Sequence, residues 1–317
     1  MLNISRMWLA LTLLTLVPLG HAKDDFKIRF AESPGKVSIT VAERPLATYY
    51  YQDTITTRPY FAHVYTPAGI QVTRSHPPDP KELQDHGPMH PGIWLAFGDL
   101  SGHDSWRLKA KIAHRGFLER PHITEDTGRF TVQNEYLSED EHALICTETC
   151  RYTFANLPAG WLIITESSFK SDNNDFYFGD QEEMGLGIRL PSAIREDGGN
   201  GRILNSRGLT TADKTWGQPA AWCDYSGTID DTVVGVTLMA SPHNARESWW
   251  HNRGYGFFAC NLFGRQAMQQ GPPSKLLVKR GEVFHLGYAI LLHSSPHGKT
   301  IDHAQAFQAY RTIVNSR

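Results

Sequence analysis

Cysteine is scarce in this chain: Cys146, Cys150, Cys223 and Cys260 are all it has in 317 residues. So few exclude a disulfide-stapled scaffold, and with no CxxC spacing zinc is a weak reading. Cys146 and Cys150 would stand about 13 Å apart on a regular strand, too far to bridge each other. They read as buried thiols, or as partners of cysteines elsewhere. Net charge is nearly absent as well. The formal balance is −2, which gives no electrostatic reason to expect nucleic acid or an anionic membrane as partner. No repeat, low-complexity stretch or linker interrupts the chain. Beyond its first two dozen residues, no apolar run is long enough to span a bilayer.

Those first residues read as an address. Arg6 precedes the apolar run Trp8 to Leu19, and Gly20-His21-Ala22 places small residues at the −3 and −1 positions of a signal-peptidase site. We expect residues 1–22 to be a signal peptide cleaved after Ala22. Residues 23–317 would then be one exported domain, periplasmic or secreted, with no membrane contact after cleavage.

What fills that domain is mostly strand. Val37 to Ala42, Phe130 to Tyr136, Ala143 to Phe154, Trp161 to Phe169, Val233 to Met239 and Val283 to Leu292 are β-branched or aromatic and partly alternating. Turn formers separate them, among them Ser33-Pro34-Gly35 and the run Asn156 to Gly160. One helix is expected, Ile301 to Val314. This pattern predicts an all-β fold, a sandwich or barrel, closed by a short C-terminal helix.

Chemistry concentrates in four clusters. Asp85 to Trp106 packs His86, His90, His103, three aspartates, Trp94 and Trp106 around the strand-like run Ile93 to Phe97. Imidazoles move protons or bind metals, carboxylates orient them, and indoles stack on ligands. The plain alternative is a set of turn caps around one buried strand. Phe178 to Arg189 sets Glu182 and Glu183 before a strand carrying Arg189; alone, it also reads as a solvated acidic turn. Trp216, Trp222, Asp224 and Tyr225 mix aromatics with polar groups as a sugar-stacking wall does, or as a core does. Finally, His243 to Arg246 leads into Trp249-Trp250-His251-Asn252-Arg253-Gly254-Tyr255, which reads as a functional loop.

The ordered motifs Arg58-Pro59-Tyr60, DHGPMHPGIWLAFGD, FGDQEEMGLGIRL, TWGQPAAWCDYSG, HNARESWWHNRGYGFFACNLFG and LGYAILLH resemble an exported bacterial family often labelled "methane oxygenase PmoA". The likeness covers roughly Phe26 to Tyr310. It implies a β-sandwich similar to the galactose-mutarotase-like supersandwich, in a setting of glycan degradation. Many members carry a tighter His-Pro-His-His cluster where this chain has His86-Gly87-Pro88-Met89-His90. A methane monooxygenase subunit is built on transmembrane helices, and this sequence offers none after its leader.

Three functions fit. The first is an enzyme acting on a saccharide near its anomeric carbon or ring oxygen: a mutarotase, epimerase, lyase or hydrolase. Glu183 would be the base and His86, His90 or His251 the acid. Arg58, Arg189, Arg253, Asp224 and His243 would hold the sugar, with Trp94, Trp216 and Trp250 stacking on it. No metal or cofactor is expected. The second is a metal-dependent oxygenase or hydrolase using His86, His90, His251 and Glu183. Against it, histidines four apart meet on one face in a helix, and Pro88, Pro91 and Gly92 disfavour helix there. The third is a glycan-binding module without catalysis.

Overall fold

The computed structural model describes residues 27–124, 127–296 and 299–316. The expected signal peptide and its cleavage site at Ala22 lie outside the described residues.

Two eight-stranded antiparallel sheets face each other across one aromatic-rich core. In spatial order the first sheet contains Ile28–Ser33, Lys36–Val41, Arg44–Tyr50, Tyr60–Ala62, Ile93–Phe97, Met184–Arg189, Phe257–Asn261 and Trp249–Arg253. The second contains Arg202–Asn205, Trp222–Ile229, Thr232–Ala240, Val283–Pro296, Gly160–Lys170, Leu144–Leu157, Thr127–Leu137 and Ile112–Ile123. The sandwich expected from the sequence is the fold observed. Rings from opposite sheets meet in the middle: Tyr49 with Phe130 at 5.2 Å, Phe97 with Tyr136 at 5.7 Å, and Tyr225 with Phe258 at 5.8 Å.

Period-two alternation builds these layers. In Lys36–Val41, Val37, Ile39 and Val41 are buried while Lys36, Ser38 and Thr40 are only partly so. The turn Asn156 to Gly160 joins two central strands. Gly160 is obligatory there: its φ is +148°, and an added Cβ would lie 2.2 Å from the Leu292 carbonyl oxygen.

The C-terminal helix spans His303–Asn315, with Asp302 accepting a hydrogen bond from the Gln305 amide at 2.9 Å as N-cap. Ala306 and Tyr310 press onto Leu162, Ile164, Met239 and Leu291, on the face of the second sheet that points away from the core. No helix among the described residues is long and apolar enough to cross a membrane. All four cysteines are buried and unpaired.

Two strands escape the hydrophobic pattern. Ile112–Ile123 is half exposed, contains Pro121, and slips register three times against its neighbour. It is an edge strand, where proline and irregularity are tolerated. Trp249–Arg253 was expected as a loop and is an edge strand of the first sheet.

Candidate active site on the first sheet

Alternation also decides which side chains of the first sheet turn away from the core. One rung runs Trp94, Gly187, Ala259, His251, and the next runs Arg189, Phe257, Arg253. Residues on one rung share a face, so His251 and Arg253 sit with Trp94 and Arg189 on the outer surface. Their neighbours turn inward: Trp250 joins the core, and Asn252 donates to Thr215 Oγ1 at 2.7 Å. Gly187 is where the indoles of Trp94 and Trp106 lie down. A Cβ there would be 2.8 Å from the first ring and 2.7 Å from the second.

Loops before and after Ile93–Phe97 close over this floor. Arg58 is their rivet: it is buried, it donates to the carbonyls of Met89, Ser105 (2.8 Å) and Trp106, and its guanidinium lies 5.3 Å from the Trp94 ring. On top of Trp94 the aromatic rings form a column. His90 stacks on Trp94 and Phe257 at 4.9 Å each, His86 on His90 at 4.5 Å, and Tyr255 on His86 at 5.5 Å.

Charged groups ring the column. Asp85 accepts from His86 Nδ1 at 2.7 Å and from Arg189 at 2.6 Å, while Arg74 approaches it at 3.3 Å. Burial alone would raise the Asp85 carboxyl, but hydrogen bonds from His86 and Arg189 outweigh it and hold the group below its usual range. The Arg189 guanidinium is itself 1% exposed and lies 4.5 Å from the Tyr255 ring. Burial, more than the opposing pull of Arg189 and Arg253, pushes the Tyr255 phenol up to about 12, so it is a neutral hydrogen-bond donor at neutral pH.

Two carboxylates complete the rim. Glu183 is held by Arg107 at 2.6 Å, and Arg107 is braced by Asp104 at 3.0 Å. Glu182 pairs with both oxygens on Arg253, at 3.1 and 3.2 Å, and Arg253 in turn lies 5.7 Å from the Trp216 ring. His251 sits beneath this pair. Its Nδ1 donates to the Glu182 carbonyl at 3.0 Å, leaving Nε2 unprotonated and 3.9 Å from the Glu182 carboxylate. Burial, with help from Arg253, drops its pKa to about 3.

The outer face therefore gathers His86, His90, His251, Glu183, Arg58, Arg189, Arg253, Trp94 and Trp216 in one neighbourhood. Their duties divide by access. His86 is 41% exposed and Glu183 25%, and Arg253 and Trp216 also reach solvent. His90, His251, Trp94, Arg58 and Arg189 are buried and form the walls and floor, out of reach for direct contact with a sugar.

Three expected residues are elsewhere. Trp250 faces the inter-sheet core, with its indole N–H on the Ala220 carbonyl at 3.0 Å. Asp224 is on the other sheet and His243 in the loop that leaves it: Asp224 bonds His293 at 2.7 Å, and His243 borders a groove of about 580 Å³ beside Arg151, Glu166 and His285. The strand start at Trp222 separates Asp224 from Trp216, although the two are eight residues apart. The four groups weighed as metal ligands share this neighbourhood, but no three of them bring ligand atoms together. Among the described residues, the one trio of His, Cys, Asp or Glu with convergent ligand atoms is Asp224, His293 and His303, not His86, His90, His251 or Glu183.

A family model matches residues 36–308 of this chain. The chain belongs to DUF6807, a family of unknown function. The match carries no methane-oxygenase activity with it, and no curated protein matches this DUF6807 chain. Among solved structures it is similar to a galactose mutarotase-like protein from Lactobacillus casei ATCC 334, at 12% identity over 84% of this chain and 100% of that one, with a TM-score of 0.38. A galactose mutarotase-like protein from Clostridium acetobutylicum gives 12% identity, 86% and 99% coverage, and a TM-score of 0.38. The α-galactosidase AgaA from Geobacillus stearothermophilus, in complex with raffinose, gives 9% identity over 86% of this chain and 41% of that one, with a TM-score of 0.39. Likeness at this distance says nothing about activity.

Arg107, Tyr255 and Phe257 also belong to the candidate site, although the motifs did not single them out for roles in this DUF6807 chain. Tyr255 and Phe257 were within reach of sequence reasoning, since they lie in the same HNRGYGFF run as His251 and Arg253. Arg107 had no such signal, because the loop after Trp106 has no period.

Proposed function

We propose that this protein acts on a saccharide at the outer face of the first sheet, by acid–base chemistry shared between Glu183 and His86. The observation that carries this reading is access combined with fixation. These are titratable groups of the site that reach solvent while each is locked by one counter-ion, Glu183 by Arg107 at 2.6 Å and His86 by Asp85 at 2.7 Å. Glu183 takes a proton from a sugar hydroxyl, or from a carbon beside a carbonyl. His86 Nε2 delivers one to the departing or ring oxygen, with Asp85 accepting from Nδ1 and steadying the ring. Trp216 and Tyr255 supply apolar faces for the sugar, and Arg253 and the Tyr255 hydroxyl supply donors to its oxygens. Mutarotation, epimerisation, elimination and hydrolysis all use such a pair. Export goes with this proposal and rests on the leader-like residues 1–22.

A glycan-binding role is the second reading. It is favoured by the pairing of both rim carboxylates with arginines, which suits fixed hydrogen-bond acceptors. One experiment separates the two. A panel of hexoses, uronates and oligosaccharides is followed by proton NMR for anomeric exchange, new products and ligand broadening. Glu183→Gln keeps the shape of the side chain but cannot take a proton, so turnover should fall by roughly 10²–10⁴-fold with affinity within a few-fold. His86→Asn should behave alike. Binding without turnover in the wild type, unchanged in Glu183→Gln, leaves a binding module and defeats the enzyme reading.

A further inference from the structure

The far side of the sandwich carries a cluster that the saccharide site does not use. Asp224 on Trp222–Ile229, His293 on Val283–Pro296 and His303 at the first turn of the C-terminal helix converge from three elements distant in sequence. Asp224 and His293 are buried, and His303 is nearly so. Asp224 Oδ1 lies 2.7 Å from His293 Nε2, and Oδ2 lies 3.8 Å from His303 Nε2. One ligand atom from each residue falls within 4.8 Å of the others. Three ligands at roughly 2.1 Å from a tetrahedral ion stand about 3.4 Å apart, inside that spread. Small side-chain rotations would seat an ion.

The surroundings suit a metal. Ser226 and Thr237 donate to the two Asp224 oxygens at 2.7 and 2.8 Å, orienting the carboxylate as outer-shell groups orient a ligand. His303 Nδ1 lies 3.0 Å from Thr237 Oγ1, a partner that fixes the ring and leaves its Nε2 to face an ion. A cavity of about 410 Å³ opens onto all three residues, with Arg202 at its edge, and would leave a coordination position free.

We propose that Asp224, His293 and His303 form a site for a divalent transition metal of the zinc type, with two imidazole nitrogens and one carboxylate as ligands and an open position facing the cavity. Because His303 begins the C-terminal helix, the ion would tie that helix to the second sheet.

The test uses full-length mature protein stripped with chelator and then titrated with zinc chloride by calorimetry, with cobalt(II) absorption and thermal melting alongside. Wild type should bind one equivalent, show the cobalt bands of nitrogen and oxygen ligands, and melt at a higher temperature with zinc than without. Asp224→Asn, His293→Ala and His303→Ala should each weaken binding at least tenfold and abolish the zinc-dependent rise in melting temperature. His303→Ala alters a partly exposed position at a helix start, so it keeps the test alive if a buried variant does not fold. Glu183→Gln should bind zinc as the wild type does, which separates this site from the saccharide site. Absence of stoichiometric binding overturns the proposal. So does equal binding by the His293 and His303 variants, since another of the chain's 15 histidines would then hold the ion.

Discussion

The imidazole rings of His86 and His90 lie 4.5 Å apart and 7° from parallel. The prolines and glycine around them disfavour an α-helix, and none forms. A single 3₁₀ turn, Gly87–Met89, with Pro88 inside it and His86 in the left-handed region, brings the rings together instead. The inner ring pays no attention to ordinary pH. Burial, then His86 and the arginines around it, hold the His90 pKa far below its usual value. Nitrogen-detected NMR should find the His90 ring neutral from about pH 5 to 8. A His90 signal titrating near the free-histidine value would contradict the packing described.

The same burial makes the fold acid-sensitive. Burial lowers His251 to about 3 and His76 to about 4. Between those values and the unfolded value near 6.5, the unfolded chain binds more protons than the folded one, so stability rises with pH and falls on acidification. For His251 the slope approaches about 1.4 kcal/mol per pH unit across that window. Melting temperature should therefore drop steadily from about pH 6.5 to 4.5. His251→Gln, if folded, should show a shallower drop. A melting temperature flat over this range would refute the assignment of these rings as buried and neutral.

Much of this was legible in the sequence, and the gaps have physical causes. The central strands, the turn at Gly160 and the C-terminal helix announce themselves through apolar period and turn residues. Edge strands do not: Ile112–Ile123 meets solvent and its pattern dissolves, while Trp249–Arg253 buries the polar His251 and Asn252, so its His-Asn-Arg run looked like a loop. Reading it as a strand would have sent Trp250 inward and His251 outward. The site was legible as residue types, less so as roles. Neither composition nor spacing distinguishes an arginine that grips a ligand from one that grips backbone carbonyls. Asp224 was misplaced because sequence proximity to Trp216 says little once a strand begins between them.

Arg58 illustrates the difference. It was expected to hold a sugar, yet its guanidinium ties three backbone carbonyls together under the Trp94 ring. Arg58→Met should leave those carbonyls without donors and cost at least about 3 kcal/mol in urea unfolding. Arg58→Lys should also destabilise, since an ammonium cannot span the same acceptors. A variant of wild-type stability that binds saccharide more weakly would restore the original role.

Of the three tryptophans expected to stack on the sugar, Trp216 and Trp250 should part company. Trp250 is fully buried, joins the inter-sheet core and donates its N–H to Ala220. Trp250→Ala opens a cavity there and should cost about 3–5 kcal/mol of stability. Any loss of saccharide binding should follow from unfolding alone and vanish where the variant is folded. Trp216 is only partly buried, at the rim beside Arg253. Trp216→Ala should change stability far less and weaken saccharide binding by about 1–2 kcal/mol, the worth of an aromatic contact. Urea unfolding and NMR titration of both variants give four numbers whose crossed pattern is the expectation. If Trp250→Ala is stable but blind to saccharide while Trp216→Ala binds normally, the outer face of the first sheet is not where the sugar sits.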